Sequence, residues 1–486
     1  MSDSSKAGTE PDAPPVRETR EVTLEEALAF ALQCLKSGLG EQAGDILRRI
    51  LAVLPDHPDA LHYLGLQTHR EGREQEAVAL MRRSLELAPD QADWHSNLGV
   101  VLQAQDDLDG AIDSFQRAIQ LNPSHANALN NVGVLFRVFG RHEEAEAAYR
   151  QAIAIDPSHA DAFHNLAILL DLCGRTSEAV KAYSRALTLK PHYPEVRRVL
   201  AMAYCHLGEH DKAIQLCEAW VNDEPDDPGA RHTLAAVSGR DVPERAGDAY
   251  VRRIFDSFST TFEAKLARLD YRAPELVVGS LAASGLAAEK SFDVLDAGCG
   301  TGLCAPLVAP YARRLTGIDL SAGMLQHAAK KRLYDELEEA ELTAYLQAHP
   351  GAFDVIISAD TLVYFGALED FASAADGALR PGGLLVFTVE EWREPGDVPG
   401  VAPPSAPADA TGESGYCLRP HGRYNHRAWY LERVLHDAGL QVHLDRDELR
   451  KEQGIPVAGS IVRARRPGTG IDADATGATV AGEPHA

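Results

Sequence analysis

Residues 294–302 of this chain read VLDAGCGTG, and residues 317–319, a short distance further on, read GID. In each stretch an apolar run ends at an acidic residue, Asp296 in the first and Asp319 in the second, and a glycine-rich turn follows Asp296. Apolar runs of this kind predict parallel strands, whose carboxyl ends meet at one edge of a sheet and bind ligands there. The two stretches therefore predict an α/β fold with a ligand site at the turn.

Strand patterns and helical patterns alternate from residue 248 onwards, which predicts a parallel sheet covered by helices on both faces. The connection that contains residues 452–454 is too short for a crossover, so the last two strands form a hairpin and one of them runs antiparallel. We expect seven strands in all, near residues 292–296, 314–319, 338–342, 353–358, 383–389, 440–449 and 457–465.

A dinucleotide-binding dehydrogenase is the competing interpretation of the glycine turn. Its glycine pattern needs a third glycine at position 303, where the pyrophosphate packs against a helix, and this chain has Leu303 there. Together with Asp296 before the turn, Leu303 favours a nucleoside without phosphates over a dinucleotide. A sheet that keeps the fold without binding a cofactor remains the structural alternative.

Residues 290–390 resemble the class I S-adenosylmethionine-dependent methyltransferases, which share a seven-stranded Rossmann-like sheet with an antiparallel terminal strand. The resemblance rests on the turn after Asp296, on Asp319, on residues 353–360 and on the LRPGG sequence at 379–383. It implies that S-adenosylmethionine is the cofactor, with Asp319 at the ribose hydroxyls and Met324 at the adenine. The cofactor-binding residues that the resemblance implies are Asp296, Ala297, Gly298, Cys299, Gly300, Gly302, Asp319, Leu320, Met324, Glu341, Leu342 and Asp360.

Methyl transfer to a neutral oxygen or nitrogen requires the acceptor to lose a proton, and side chains beyond strands four and five are candidates for receiving it. These candidates are Asp360, Tyr364 and His421, with His426 in the same loop as His421. Asp360 has the alternative of contacting the cofactor or capping a helix, and Tyr364 that of packing over the cofactor. His421 and His426 are five residues apart and do not share a helical face, so we expect no metal site.

The tip of strand four reads DTLVY at residues 360–364. Many amino-group methyltransferases instead have Asn or Asp followed by two prolines and an aromatic residue, which hold a planar NH2 group. The departure argues against an exocyclic adenine nitrogen or a glutamine amide as the acceptor. The sequence does not choose between carboxyl, hydroxyl and amine groups as the methyl acceptor.

The amino-terminal half has an internal period of 34 residues. Small residues recur at this period, and an alanine follows each of them twelve residues later. The period predicts a pair of helices per repeat, in which the small residue lets the helices cross closely and a bulky residue fills the gap to the neighbour. The small, alanine and bulky positions include Gly65, Gly99 and Gly133, then Ala77, Ala111 and Ala145, then Met81, Phe115 and Tyr149. This pattern resembles the tetratricopeptide repeat, an α-solenoid unit.

Asparagines recur at the same period on the first helices of their repeats, which line the concave surface of such solenoids. A column of side-chain amides can bind an extended peptide backbone through paired donors and acceptors, and the column resembles the asparagine ladder of the O-linked N-acetylglucosamine transferases. The alternative is a consensus asparagine without a ligand. We expect a protein or peptide partner on this surface, held by Asn97, Asn130, Asn131, His164 and Asn165.

Composition limits the partners and the compartment. The formal net charge of −25 makes general binding of nucleic acid or of an anionic membrane unfavourable. The seven cysteines show no CxxC spacing, and the start of the chain lacks an apolar signal segment, so the sequence predicts reduced thiols in a cytoplasmic protein. The oligomeric state is not indicated.

The sequence therefore predicts an α-solenoid followed by an α/β domain. The expected parts are a disordered start at 1–22, about six repeats with a capping helix at 23–238, a linker at 239–247, a methyltransferase domain at 248–466 with an insertion at 391–415, and a disordered tail at 467–486. The insertion is either a flexible lid or plain disorder. Residues 250–274 and 419–426 resemble bacterial methyltransferases that carry such repeats, so we expect methyl transfer to an O or N acceptor. The alternative is a repeat scaffold whose sheet senses the cofactor or is inactive.

Overall fold

The computed structural model describes residues 22–259, 262–267, 269–392, 414–452 and 455–468. Apart from a few residues at their edges, the predicted disordered start, the insertion at 391–415 and the tail at 467–486 lie outside these ranges. The chain divides into two compact units, of which the first ends at Leu169 and the second begins at Leu170. This boundary lies inside a helix and not in the predicted linker, residues 239–247.

The first unit is a series of helix pairs. Glycines on the first helix of a pair face the bulky residues of the second, as the 34-residue period predicts. A Cβ atom added at Gly99 would lie 2.7 Å from the ring of Phe115, and one at Gly133 would lie 2.8 Å from the ring of Tyr149. The helices are α1 (Leu24–Lys36), α2 (Gly40–Val53), α3 (Pro58–Arg70), α4 (Glu74–Leu87), α5 (Ala92–Ala104), α6 (Leu108–Leu121), α7 (Ala126–Val138), α8 (His142–Ile155) and α9 (Ala160–Leu172).

The second unit begins with further helices and continues into a mixed sheet. The helices before the sheet are α10 (Thr176–Leu189), α11 (Pro194–His206), α12 (His210–Asp223), α13 (Pro228–Ser238), α14 (Asp248–Phe258), α15 (Phe262–Ala267) and α16 (Ala273–Ala283). The sheet and its helices are β1 (Phe292–Ala297), α17 (Ala305–Val308), β2 (Ala312–Asp319), α18 (Ala322–Lys330), β3 (Glu336–Glu339), α19 (Leu342–Ala348), β4 (Phe353–Ser358), α20 (Glu369–Ala378), β5 (Leu379–Glu391), β6 (Tyr416–Leu418), β7 (Tyr424–His426), α21 (Ala428–Asp437), β8 (Gln441–Glu452) and β9 (Ile455–Arg465).

The sheet has the order β3-β2-β1-β4-β5 with parallel pairing throughout. Strand β9 pairs with β5 in the antiparallel direction, and β8 pairs with β9. Alternate residues of the central strands enter two apolar clusters: Leu295 packs towards α19, α20 and α21, whereas Val294 packs towards α16 and α17. These strands therefore have both faces covered, as near-continuous apolar runs in a parallel sheet require.

The predicted fold class, a repeat solenoid followed by an α/β sheet with an antiparallel strand, is confirmed. Two details differ. The described part of the chain contains a short hairpin, β6 and β7, beyond the seven predicted strands. Strand β3 ends at Glu339, and not at residue 342, because the side chain of Glu341 caps α19 by accepting from the backbone nitrogen atoms of Thr343 and Ala344.

Membrane-spanning helices are absent from the ranges that the structure describes, since none of their helices is both long enough and apolar enough. The same ranges contain no cluster of three or more His, Cys, Asp and Glu side chains that could hold a metal ion.

Candidate functional site

A cavity of about 270 Å³ lies at the carboxyl ends of β1, β2 and β4. The glycine turn and Asp319 line it, together with charged residues from β8 and from the loop before β7. Aromatic side chains of α14 and α15 line it as well, among them Phe255, Phe258 and Phe262. The cavity is thus a largely apolar space with a few polar and charged groups, which is typical of a small-molecule site.

The glycine turn has a backbone conformation that other residues adopt only with strain. Gly298 has φ of 77°, and a Cβ atom there would lie 2.2 Å from Oγ1 of Thr361. Gly300 has φ of 55°, but a Cβ atom there would meet only Phe262, at 3.9 Å. Glycine is therefore required at Gly298 for packing, whereas at Gly300 it keeps the backbone open on the cavity side.

Asp319 links the end of β2 to the turn. Its Oδ2 accepts a hydrogen bond from the backbone nitrogen of Gly300 at 2.9 Å, and its Oδ1 accepts one from that of Ser321 at 2.8 Å. Burial raises the pKa of this carboxyl, and the backbone donors oppose the rise. The carboxylate lines the cavity in a fixed orientation, as a group that binds two hydroxyls should.

Asp296 lies beneath the turn and is buried, with 1% of its surface exposed. Its Oδ2 accepts a hydrogen bond from the hydroxyl of Tyr334 at 2.6 Å. Burial raises the pKa of Asp296 to about 7, although the Tyr334 hydroxyl lowers it and Asp319 adds to the rise. Asp296 thus supports the turn from the side that faces away from the cavity lining.

The predicted cofactor residues fall into two groups. Those that line the cavity are Gly298, Gly300, Asp319, Leu320, Glu341, Leu342 and Asp360. The others lie behind the lining or below the turn: Asp296, Ala297, Cys299, Gly302 and Met324. Met324 is fully buried, so its side chain supports the wall rather than facing the cavity.

A buried charged cluster around the guanidinium of Arg450 on β8 also lines the cavity. Nη1 donates to Oδ2 of Asp360 at 2.6 Å, Nε donates to Oε1 of Glu452 at 2.8 Å, and Nη2 donates to Glu390. Arg423 also donates to Glu390 and Glu452, each at 2.6 Å. Each carboxylate thus has a cationic partner, which a buried charge requires.

The pKa values in this cluster follow from its pairing. Burial alone raises the pKa of Glu390, but Arg423, His421 and Arg450 outweigh it and hold this pKa at about 2. Burial raises the pKa of Asp360, and Arg450 is the strongest influence against the rise. Burial lowers the pKa of His421 to about 4. With each carboxylate counted as the ionised partner of a guanidinium group, the three carboxylates and two guanidinium groups give the cluster one net negative charge.

Asp360 has an unusual backbone and an unpaired oxygen. Its φ is 57°, and its backbone nitrogen donates to Oγ1 of Thr388 at 2.9 Å. Oδ1 is buried and has no hydrogen-bond partner among the described residues. A strained conformation and an orphaned acceptor at one residue are typical of functional positions.

The other predicted catalytic residues have different positions. Tyr364 lines the cavity with its ring edge against Phe255, and burial raises the pKa of its hydroxyl. His421 lies outside the cavity lining, with Nε2 at 3.7 Å from Oε2 of Glu390. His426 is buried in β7 and donates from Nε2 to the carbonyl of Gly366 at 3.1 Å. The geometry favours Asp360 and Tyr364 over both histidines for contact with a ligand.

The predicted linker is bonded into the wall of the cavity. The carbonyl of Glu244 accepts from the backbone nitrogen atoms of Gly366 and Ala367, and the nitrogen of Ala246 donates to the carbonyl of Tyr364, each at 2.8 Å. Nearby, Nε2 of His232 on α13 donates to the carbonyl of Gly422 at 2.9 Å. These bonds connect α13 with the loops that shape the site.

Sequence reasoning missed the aromatic wall of α14 and α15 and the central position of Arg450. The signal for the wall was the spacing of Phe255, Phe258 and Phe262, three and four residues apart, which repeats on one helical face. The signal for Arg450 was an arginine beside Leu449 in a strand that covers the core, where a charge needs partners.

The asparagine column lies in the first unit. Asn97, Asn130 and Asn131 line a polar groove of about 510 Å³, whereas His164 and Asn165 lie outside its lining. The amides partly pair with each other: Asn165 donates to Oδ1 of Asn130 at 2.9 Å, and Asn97 donates to Nε2 of His62 at 3.2 Å.

Comparison with protein families supports both halves of this description. The model of the methyltransferase domain matches residues 295–387, and tetratricopeptide repeat models match residues 90–158, 126–192 and 174–237. The solved structure of MamA covers 33% of this chain and 95% of its own, at 26% identity and a TM-score of 0.31, which supports no inference about function.

Curated relatives match the methyltransferase half. Methyltransferase-like protein 27 from Homo sapiens is 32% identical over 168 residues, which are 33% of this chain and 64% of that protein. The ubiquinone biosynthesis O-methyltransferase from Pectobacterium carotovorum is 32% identical over 110 residues, 22% of this chain and 45% of that enzyme. The chain thus spans less than two thirds of each. It combines tetratricopeptide repeats with a class I methyltransferase domain, for which these relatives imply S-adenosylmethionine as the cofactor.

Proposed function

We propose that this protein transfers a methyl group from S-adenosylmethionine to an oxygen or nitrogen acceptor, with residues 248–466 as the catalytic domain. The observation that carries the proposal is the position of Asp319, whose carboxylate lines the cavity beside the open backbone of Gly300. A nucleoside with two ribose hydroxyls matches this acceptor group. The relatives that match this domain act as methyltransferases by name, including an O-methyltransferase.

The residues present fit this cofactor. Asp319 would hold the ribose, and Leu320 and Leu342 would border the adenine on the apolar side of the cavity. Glu341 lines the cavity too, and the backbone of α19 donates to both of its carboxylate oxygens, which fixes its orientation. Gly298 and Gly300 would let the backbone approach the amino-acid end, with Asp296 holding the turn in place.

The cofactor supplies an electrophilic methyl group on a sulfonium. This chain's own contribution is to align the acceptor with that group and to exclude water. The aromatic residues of α14 and α15 and the ring of Tyr364 provide an apolar enclosure for this purpose. Asp360 and Tyr364 are the side chains in position to contact the acceptor.

The repeats would recruit a protein or peptide through their concave surface. Support comes from the groove that Asn97, Asn130 and Asn131 line, where amide and imidazole groups offer donors and acceptors to a peptide backbone. Asn131→Ala combined with Asn165→Ala should then abolish transfer of labelled methyl groups into proteins of a cell extract, if the acceptor is the recruited protein.

Calorimetry with S-adenosylmethionine tests the proposal. The wild type should bind, Asp319→Ala should weaken binding by at least about tenfold, or about 1.4 kcal/mol, and Asp437→Ala, at an exposed position at the end of α21, should bind as the wild type does. If the wild type does not bind S-adenosylmethionine, methyl transfer is refuted and the interpretation that remains is a repeat scaffold whose sheet has no catalytic role.

A further inference from the structure

We propose that the methyl acceptor of this protein is a neutral hydroxyl on an apolar or aromatic group, and that Oδ1 of Asp360 receives its proton. The inference rests on the methyl transfer proposed above and narrows its acceptor from oxygen or nitrogen in general to one chemical class. It follows from the charged cluster, the unpaired oxygen and the aromatic lining of the cavity.

The charge of the cluster excludes a carboxylate acceptor. Asp360, Glu390 and Glu452 outnumber Arg423 and Arg450 by one negative charge. All three nitrogen atoms of the Arg450 guanidinium already donate to these carboxylates, and Arg423 donates to two of them. A carboxylate that entered beside Asp360 would meet the like charge of the cluster, in a site with little water to screen the repulsion. The other two cations that line the cavity are engaged elsewhere: Arg245 donates to Asp248, and Lys265 lies over the ring of Phe258.

The unpaired Oδ1 of Asp360 requires a hydrogen-bond donor from the ligand. Oδ2 of Asp360 is fixed by Arg450 at 2.6 Å, so the carboxylate cannot rotate freely, and Oδ1 keeps one orientation. Oδ1 is buried without a hydrogen-bond partner among the residues that the structure describes, and Asp360 lines the cavity. A ligand that brings an O–H group satisfies this oxygen, and a ligand without a donor leaves it unsatisfied at a cost in affinity.

A hydroxyl suits this base better than an amine. An amine is protonated at neutral pH and has no lone pair to attack with, and a carboxylate is too weak a base to deprotonate an ammonium group before the reaction. A hydroxyl oxygen keeps a lone pair while its proton is still bound. The oxygen can bond to the methyl carbon as the carbon–sulfur bond breaks with its electron pair left on sulfur, while the hydroxyl proton passes to Oδ1.

The lining of the cavity indicates which kind of group carries the reacting hydroxyl of the acceptor. Tyr271, Tyr364 and Phe255 line the cavity together with Asp360, and the ring edge of Tyr364 packs against Phe255 at a centroid distance of 5.5 Å. Rings of this kind favour a flat or apolar group next to the reacting hydroxyl. Arg450 acts as a positioning residue, because it binds Oδ2 of Asp360 and leaves Oδ1 unpaired.

Three probes of similar size test the proposal: para-ethylphenol, para-ethylbenzoate and para-methylbenzylamine. Calorimetry on the full chain saturated with S-adenosylhomocysteine should show that the phenol binds at least about tenfold more tightly than the benzoate. The benzylamine brings both a donor and a positive charge, so it is compared by methyl transfer from S-adenosylmethionine, which should methylate the phenol and not the amine. Asp360→Asn should reduce this preference to less than about threefold, and the exposed control Asp437→Asn should retain it. A circular dichroism spectrum of Asp360→Asn that matches that of the wild type checks that the variant is folded.

Several outcomes would overturn the proposal. They are tighter binding of the benzoate than of the phenol, methyl transfer to the amine in preference to the phenol, lack of phenol binding at millimolar concentration, or an undiminished preference for the phenol over the benzoate in Asp360→Asn. A folded wild type that binds S-adenosylmethionine but prefers another probe would refute the hydroxyl acceptor and leave methyl transfer standing. The pH profile gives a second readout: methylation of the phenol should fall at low pH as Asp360 becomes protonated, and Asp360→Asn should lack this limb.

Discussion

Nη1 of Arg450 lies 2.6 Å from Oδ2 of Asp360, and the two residues are 90 positions apart in the chain. One belongs to β8, in the terminal antiparallel hairpin, and the other follows the parallel strand β4. The terminal hairpin of the sheet therefore completes a site that begins at the carboxyl ends of the parallel strands.

Arg450→Ala should destabilise the protein by about 3–5 kcal/mol, because it leaves the buried carboxylates of Asp360 and Glu390 with fewer cationic partners. Arg450→Lys should recover part of this loss, since one ammonium group cannot reach three carboxylates. Urea unfolding measures both. Lys451→Ala is the control on the same strand: its exposed pair with Asp270 should be worth less than about 1 kcal/mol. A loss of stability no greater at Arg450 than at Lys451 would contradict this pairing of the cluster.

Gly298→Ala should weaken binding of S-adenosylmethionine by at least about tenfold. The substitution places a methyl group against Thr361 in a backbone conformation that favours glycine, so the turn must shift. Gly279→Ala provides the matched control, because Gly279 lies in α16 with no atom within 4 Å of an added Cβ. Equal affinities of the two variants in calorimetry would show that the turn does not contact the cofactor.

Asp296→Asn should change the pH dependence of stability. In the folded protein the pKa of Asp296 is raised to about 7 from an ordinary value of 3.8, so the folded state binds this proton more tightly than the unfolded state. The resulting stabilisation is complete below pH 3.8 and is lost as the pH rises to about 7. Asp296→Asn has no carboxyl to titrate at this position, so it does not lose this stabilisation. Its unfolding free energy minus that of the wild type should therefore rise across this pH range, by an amount on the order of 4 kcal/mol.

Urea unfolding of both proteins at a series of pH values provides the measurement, without cofactor. Asparagine keeps an oxygen that accepts from the Tyr334 hydroxyl, so packing is little changed. A difference between the two proteins that stays constant from pH 4 to pH 7 would mean that Asp296 has an ordinary pKa in the folded protein.

Asn131→Ala combined with Asn165→Ala should abolish capture of a protein partner by the repeats. Asn131 lines the polar groove, and Asn165 donates to Asn130, which lines it too, so the double variant removes a ligand group and the support of its neighbour. Asn122→Ala, at the exposed end of α6, serves as the control. Pull-down from a cell extract gives the readout, and capture at the wild-type level by the double variant would rule out this groove.

The repeats and the parallel part of the sheet could be predicted from the sequence, because both depend on periodic patterns of small and apolar residues. Gly99 and Asp319 could be placed from such patterns alone. The contact between Arg450 and Asp360 could not, because it depends on how a distant hairpin packs onto β5. The short hairpin of β6 and β7 was missed for a similar reason: three-residue strands give no periodicity, and tertiary contacts such as that of His426 with Gly366 define them.

Transfer of an isotopically labelled methyl group from S-adenosylmethionine into a cell extract, followed by mass spectrometry, shows whether this protein is a methyltransferase. We expect labelled products with the wild type, an unchanged amount with Asp437→Ala, and an amount reduced to about a tenth or less with Asp319→Ala. The absence of any labelled product with the wild type, in extracts where a known methyltransferase gives one, would contradict the proposed methyl transfer.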